Sequence, residues 1–161
     1  MNKLILQKDE LNEIYRLIKK FMMMRLRLPA RFFEVSDPRN KFSHDLIMVR
    51  AVGSSGEDDL YLRFGCYAYT PEKDVKTIVV ARIGFKRIKN GAGTALLKEL
   101  CHLGEKYDYQ YLAIECPNSQ CKTFMNKLGF SNEFIVPIQK LKLLIQDYES
   151  KKLISVNLDK I

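Results

Sequence analysis

No apolar run in this chain approaches the roughly eighteen residues that a membrane-spanning helix needs, so a bilayer-crossing segment is excluded. Cysteine is scarce and irregularly placed: Cys66, Cys101, Cys116 and Cys121 form no disulfide framework. Histidine is rarer still. With only His44 and His102 elsewhere, Cys116 and Cys121 find no convincing ligand set for zinc, and no metal is expected. Reduced structural thiols are the expectation, with Cys101 and Cys121 on apolar helix faces. There is no internal repeat and no low-complexity tract. The opening MNKLILQKDELNEIY meets Asp9 and Glu10 too early for a secretory signal, so a cytoplasmic location is expected.

Hydrophobic residues at 47% and charged residues at 29% suffice for a packed core and argue against wholesale disorder. At 161 residues the chain is one domain's worth, with 134–161 a divergent C-terminal extension. The net charge of +8 admits a nucleic acid, an acidic protein or an anionic small molecule as partner. Outside Arg25–Arg31 and Lys86–Lys89 the charge is scattered, and no nucleic-acid-binding motif is present. Nucleic acid is therefore not the expected partner, and no membrane partner is expected.

Periodicity organises the rest. Asp9–Met24 carries Leu11, Ile14, Tyr15, Ile18, Phe21 and Met22 at helical spacing, with Asp9 as N-cap. Pro29 and the Ser36-Asp37-Pro38 stretch break up the chain beyond this helix. Asp45–Val52 and Leu60–Tyr69 read as strands joined by the hairpin loop GSSGEDD. Thr77–Phe85 reads as a largely buried strand. Leu96, Leu97, Leu100 and Leu103 then mark a helix. Tyr111–Glu115 is a further strand, and Asn118–Leu128 a short helix stopped by Gly129. Pro137–Tyr148 reads as helix and Leu153–Leu158 as strand. Such a tail can close the sheet or pair with a second copy, so a homodimer stays open. The pattern predicts an α/β or α+β fold on one central sheet.

Between the strand and helix at Thr77–Tyr107 lies KRIKNGAGT. A glycine turn opening a helix offers unpaired backbone N–H groups suited to a diphosphate, and Gly91 and Gly93 allow close backbone approach. Lys86, Arg87 and Lys89 add positive charge. About thirty residues on stands N118-SQ-C121-KT-F124-M125-NK-L128-G129-F130, where Asn118 can cap a helix buried through Cys121, Phe124, Met125 and Leu128.

Taken together, the two segments resemble the GCN5-related N-acetyltransferase (GNAT) superfamily. The likeness covers Leu60–Phe130 well and Asp9–Met24 loosely. The family's loop reads Gln/Arg-x-x-Gly-x-Gly/Ala, and its later helix Asn-x-x-Ala-x-x-Phe-Tyr-x-x-x-Gly-Phe. The resemblance implies a mixed, mostly antiparallel central sheet flanked by helices. It implies an N-acetyltransferase that moves an acetyl group from acetyl-CoA to a primary amine by direct attack. The diphosphate would lie on Ile88, Lys89, Asn90, Gly91, Ala92, Gly93 and Thr94, with Ile88 in place of the usual Gln or Arg. The pantetheine arm would pair with backbone near Ile83 and touch Asn118. The partners implied are acyl-CoA and an amine acceptor.

Two departures concern chemistry. Met125 stands where the family usually has the tyrosine that protonates the leaving thiolate, and a thioether donates no proton. Tyr67, Tyr69 or a water are the substitute donors; a thiol pKa near 8.5 makes the thiolate a tolerable leaving group without one. The strand Ile78–Phe85 contains no carboxylate, so the position some family members use for the general base is empty; Glu115, ending YLAIE beside the expected splay between strands, is the candidate base. Its place resembles that of the base in ribosomal-protein N-terminal acetyltransferases; Glu72 and Asp74 are weaker candidates. The competing reading is a non-catalytic GNAT-like binding or regulatory protein that keeps acyl-CoA binding. The acceptor would be set by Arg25–Ser43 and the tail, where the resemblance fades.

Overall fold

The computed structural model describes residues 8–36, 47–67, 72, 75–86, 91–115, 117, 119–130 and 134–160. A helix, α1 (Lys8–Met24), leads through a 3-10 turn at Ala30–Phe32 into β1 (Phe33–Ser36), β2 (Ile47–Gly53), β3 (Asp59–Cys66) and β4 (Lys76–Gly84). Then come α2 (Ala92–Lys106), β5 (Tyr111–Ile114), α3 (Ser119–Leu128), β6 (Ile135–Pro137) and α4 (Ile138–Leu158). The strands form one sheet in chain order, β1 to β6, in which only β4 and β5 run parallel. This is the mixed, mostly antiparallel sheet flanked by helices that the family resemblance implies.

Strand alternation sorts the sheet into two faces. Ile47, Val49 and Ala51, then Leu60, Leu62 and Phe64, then Ile78, Val80, Leu112, Ile114 and Val136 share one core with the helices. From α1 it takes Ile14, Ile18, Phe21 and Met22, and from α2 Leu96, Leu97, Leu100 and Leu103. Cys121, Met125 and Leu128 come from α3, and Ile138, Leu141 and Ile145 from α4. Val79 and Ala113 are buried too, yet stand outside that core, on the opposite face with Arg63 and Tyr111.

Several sequence expectations change. Asp9 lies inside the first turn of α1, so it complements the helix dipole rather than capping it. The stretch around Pro29 contains β1, and β6 precedes α4. Leu153–Leu158 is not a strand: α4 runs unbroken through it. The helix continues because each added residue closes one further bond at little cost, whereas an alternating segment without a neighbouring strand closes none. Asp147 and Lys151, one turn apart and 2.8 Å from each other, favour the same outcome.

Among the described cysteines Cys101 and Cys121 are buried, as their apolar helix faces imply. Cys116 lies outside the described residues. Burial pushes the Cys101 thiol up to about 12. The Tyr109 hydroxyl is also raised, by burial first and then by its hydrogen bond to Glu10. Both groups are held neutral in the fold, so their contribution is complete below their ordinary pKa values, near 8.5 for cysteine and 10 for tyrosine. It erodes as pH climbs towards the raised values. From neutral pH upward these two groups should therefore leave the melting temperature level to about pH 8.5 and lower it between about pH 9 and 12. Cys101→Ala and Tyr109→Phe should each flatten that decline; a slope unchanged in both would refute the assignment.

Candidate functional site

Strands β4 and β5 pair only from Thr77↔Tyr111 to Val80↔Ile114, and the Glu115 N–H closes the ladder on the Val80 carbonyl at 3.0 Å. Beyond that point β4 continues through Ala81, Arg82, Ile83 and Gly84, paired with β3 alone among the described residues. A bulge helps to part the strands. Tyr61 faces Arg82 and Leu62 faces Val80, which leaves Ala81 as an extra residue that bends β4 away. Ile83 pairs with Leu60 and packs its half-buried side chain on the core, leaving the β5-side backbone edge of this stretch beside the gap.

Helix α2 begins at this same end. Gly91 is its N-cap at φ 80°, a left-handed conformation that glycine adopts without strain. Being glycine, it supplies no side-chain cap of its own. The first bond back to Gly91 comes from the Ala95 N–H at 3.0 Å. The two glycines have different roles. A Cβ on Gly91 would meet nothing within 4 Å, whereas one on Gly93 would stand 3.2 Å from the Phe124 ring. Gly93 thus lets α3 approach the first turn of α2, so both helices start at the carboxyl ends of the parallel strand pair. That end is where open α/β sheets bind ligands.

Ala92 and Thr94, in the same first turn, are buried. Ile88, Lys89, Asn90 and Asn118 lie outside the described residues, as do Arg87, Tyr69 and Asp74. Glu72 is exposed and accepts a hydrogen bond from the Tyr111 hydroxyl at 2.8 Å. Met125 is 1% exposed and belongs to the core, so its side chain faces packing rather than the gap.

Glu115 follows β5 directly, on the face away from the core, and its carboxylate forms an ion pair with Arg63 of β3. Arg63 stands opposite Val79, so the pair reaches across β4 just before the strands separate. The Arg63 guanidinium also sits 5.1 Å from the centre of the Tyr67 ring. A carboxylate held by a guanidinium at a strand fork is fixed in position.

Asp58 supplies a support the sequence did not signal. Buried at 6% exposure in the β2–β3 hairpin, it accepts the Lys86 N–H at 2.9 Å, and its own carbonyl accepts the Gly53 N–H at 2.7 Å. The hairpin thereby fixes the point at which the chain leaves β4 for the glycine turn. The Lys86 ammonium pairs with Glu57 at 2.8 Å, so part of the charge expected at this turn is balanced by the hairpin. Nothing in GSSGEDD distinguishes Asp58 from a solvated turn residue. Arg63 showed only as a charge within an apolar strand, with its partner far along the chain.

Among the described residues no group of three histidine, cysteine or acidic side chains is placed to hold a metal ion, and no helix is long and apolar enough to cross a membrane. No protein-family model and no curated protein matches the chain. Among solved structures, a crystal structure of a KacTA–DNA complex aligns over 82% of this chain and 86% of its own, at 14% identity. Its TM-score is 0.43, a likeness too loose to carry an argument.

Proposed function

We propose that this chain is an N-acetyltransferase that uses acetyl-CoA as acyl donor and a primary amine as acceptor. The observation that carries the reading is the fork: β4 outruns β5 beside the start of α2, where Gly91 is the N-cap. The backbone edge of Ala81–Gly84 suits an extended pantetheine amide chain, and a helix start entered through a glycine suits a diphosphate. Ile88, Lys89, Asn90, Gly91, Ala92, Gly93 and Thr94 would cradle that diphosphate, Ile83 backbone would flank the arm, and Asn118 would meet it.

Catalysis would come mainly from holding amine and thioester together in the fork, with a backbone N–H polarising the thioester carbonyl. Glu115 would take the proton shed by the attacking nitrogen. Met125, buried and without a proton to give, leaves the departing thiolate to water or to a tyrosine such as Tyr67. The same buried Met125 favours the second reading, a binding protein that keeps the donor site without turnover.

Two measurements separate these readings. Acetyl-CoA at about a hundred times its Kd should stabilise the fold by about 2.7 kcal/mol and raise the melting temperature by roughly 5–10 °C. Absence of any shift at millimolar acetyl-CoA would sink both readings. Release of free CoA thiol with a panel of amines is expected of the enzyme alone. Glu115→Gln should then lower turnover roughly 10²–10⁴-fold with little change in the acetyl-CoA shift. Unchanged turnover would move the base elsewhere.

A further inference from the structure

The C-terminal half of α1 and the turn after it carry a charge pattern that neither the donor site nor Glu115 uses. Between Glu13 and Glu34 stand six cations, Arg16, Lys19, Lys20, Arg25, Arg27 and Arg31, and no acidic residue. All six are exposed, and none forms an ion pair with a described carboxylate. Elsewhere the basic residues of the sheet and of α2 are largely matched: Arg50 and Arg82 share Asp59, Lys98 meets Glu149, and Lys106 meets Glu13.

Three large apolar side chains lie among these cations. Met23, Met24 and Phe32 are 48%, 66% and 41% exposed. Arg16, Lys20, Met23 and Met24 follow the i, i+4, i+7, i+8 spacing of a single helix face, opposite the buried Ile14, Ile18, Phe21 and Met22. Arg31 lies over the Phe32 ring at 4.8 Å, a flat guanidinium–aromatic platform at the far end. The surface adjoins the fork. Phe21, on the inner side of α1, packs at 5.5 Å on Phe85 just past β4, and the Phe32 carbonyl accepts the Ser54 N–H at 2.7 Å.

We propose that this surface docks an acidic peptide segment bearing apolar side chains. Carboxylates would meet the unmatched cations, while leucine-like side chains would cover Met23, Met24 and Phe32. A phosphate backbone satisfies the cations equally well but leaves those apolar groups bare. A bilayer requires an unbroken apolar face, and here the apolar residues are divided by charge. Methionine suits such a surface because its flexible thioether adapts to partners of varied shape. The assignment is independent of the acyl-transfer reading.

The test uses the whole chain and labelled probes. These are a capped peptide of about twelve residues with equal Glu and Leu, an all-Glu peptide of the same length, a duplex DNA of about twenty base pairs, and phosphatidylserine-containing vesicles. The Glu/Leu peptide is expected to bind in the micromolar range, to weaken as salt rises, and to exceed the all-Glu peptide by roughly tenfold. Lys20→Glu with Arg27→Glu, and separately Met24→Ala with Phe32→Ala, should each weaken it by about tenfold without moving the melting temperature or the acetyl-CoA shift. Absence of binding, tighter binding of the duplex or the vesicles, or indifference to both double variants overturns the proposal.

Discussion

Gly91→Asp is expected to cut the thermal shift produced by acetyl-CoA by about half or more while leaving the melting temperature of the unliganded protein within a few degrees. Gly91 sits at φ 80° with open space where a Cβ would go, and aspartate is among the few residues that tolerate this conformation. A negative charge at a helix N-terminus favours the unliganded fold, typically by 0.3–1 kcal/mol, which offsets part of the backbone cost. Towards a diphosphate on the same amides the charge acts in the opposite sense. At about 4 Å each like pair costs on the order of 1 kcal/mol in water and about 4 at a protein surface, so affinity should fall at least about tenfold. Gly91→Asn has the same shape without the charge and should retain most of the shift. Position 93 cannot serve this purpose, because any Cβ there presses on Phe124 and disturbs the packing of α3. If Asp and Asn at position 91 behaved alike, the diphosphate would not lie at this helix start.

The glycine turn also shows where the sequence was informative and where it was not. The strand-to-helix change of period is local, so β4 and α2 could be read directly from Ile78–Leu103. The short helix ending at Gly129 was equally legible; Gly129 takes φ 95° just past its end. What distinguishes Gly91 from Gly93 is not local. One answers to its own dihedral angle and the other to a ring brought in by α3. The Arg63–Glu115 pair and the Asp58 brace escaped for the same reason, since each joins segments that meet only when the sheet forms. β1 and β6 are short edge strands whose few residues carry no period of their own. In Leu153–Leu158, apolar residues at 153, 154, 156 and 158 fit alternation loosely and a helix as well; the upstream turns of α4 decided between them.

The largest loss of stability is expected from Glu10→Ala. Glu10 is 2% exposed on α1 and accepts from the Lys76 ammonium at 3.0 Å and from the Tyr109 hydroxyl. Lys76 also donates to the Tyr107 carbonyl at 2.7 Å and lies 4.2 Å from the centre of the Tyr109 ring. One buried carboxylate thus ties the first helix to the start of β4 and to the turn between α2 and β5. Removing it leaves an ammonium with 11% side-chain exposure facing a site with no counter-charge, which typically costs 3–5 kcal/mol. For a chain of this size that lowers the melting temperature by roughly 6–20 °C. The pair itself need not be a net gain, because two charges had to be taken from water to form it. Glu10→Leu combined with Lys76→Met should therefore recover most of what Glu10→Ala loses, in a double-mutant cycle followed by thermal melting. Tyr109→Phe, which leaves the ion pair intact, should cost only about 1–3 kcal/mol. A Glu10→Ala protein as stable as the parent would mean that water reaches Lys76 and that α1 is held by its apolar face alone. In that case Ile14, Ile18, Phe21 and Met22 would fix the helix against the sheet without electrostatic help.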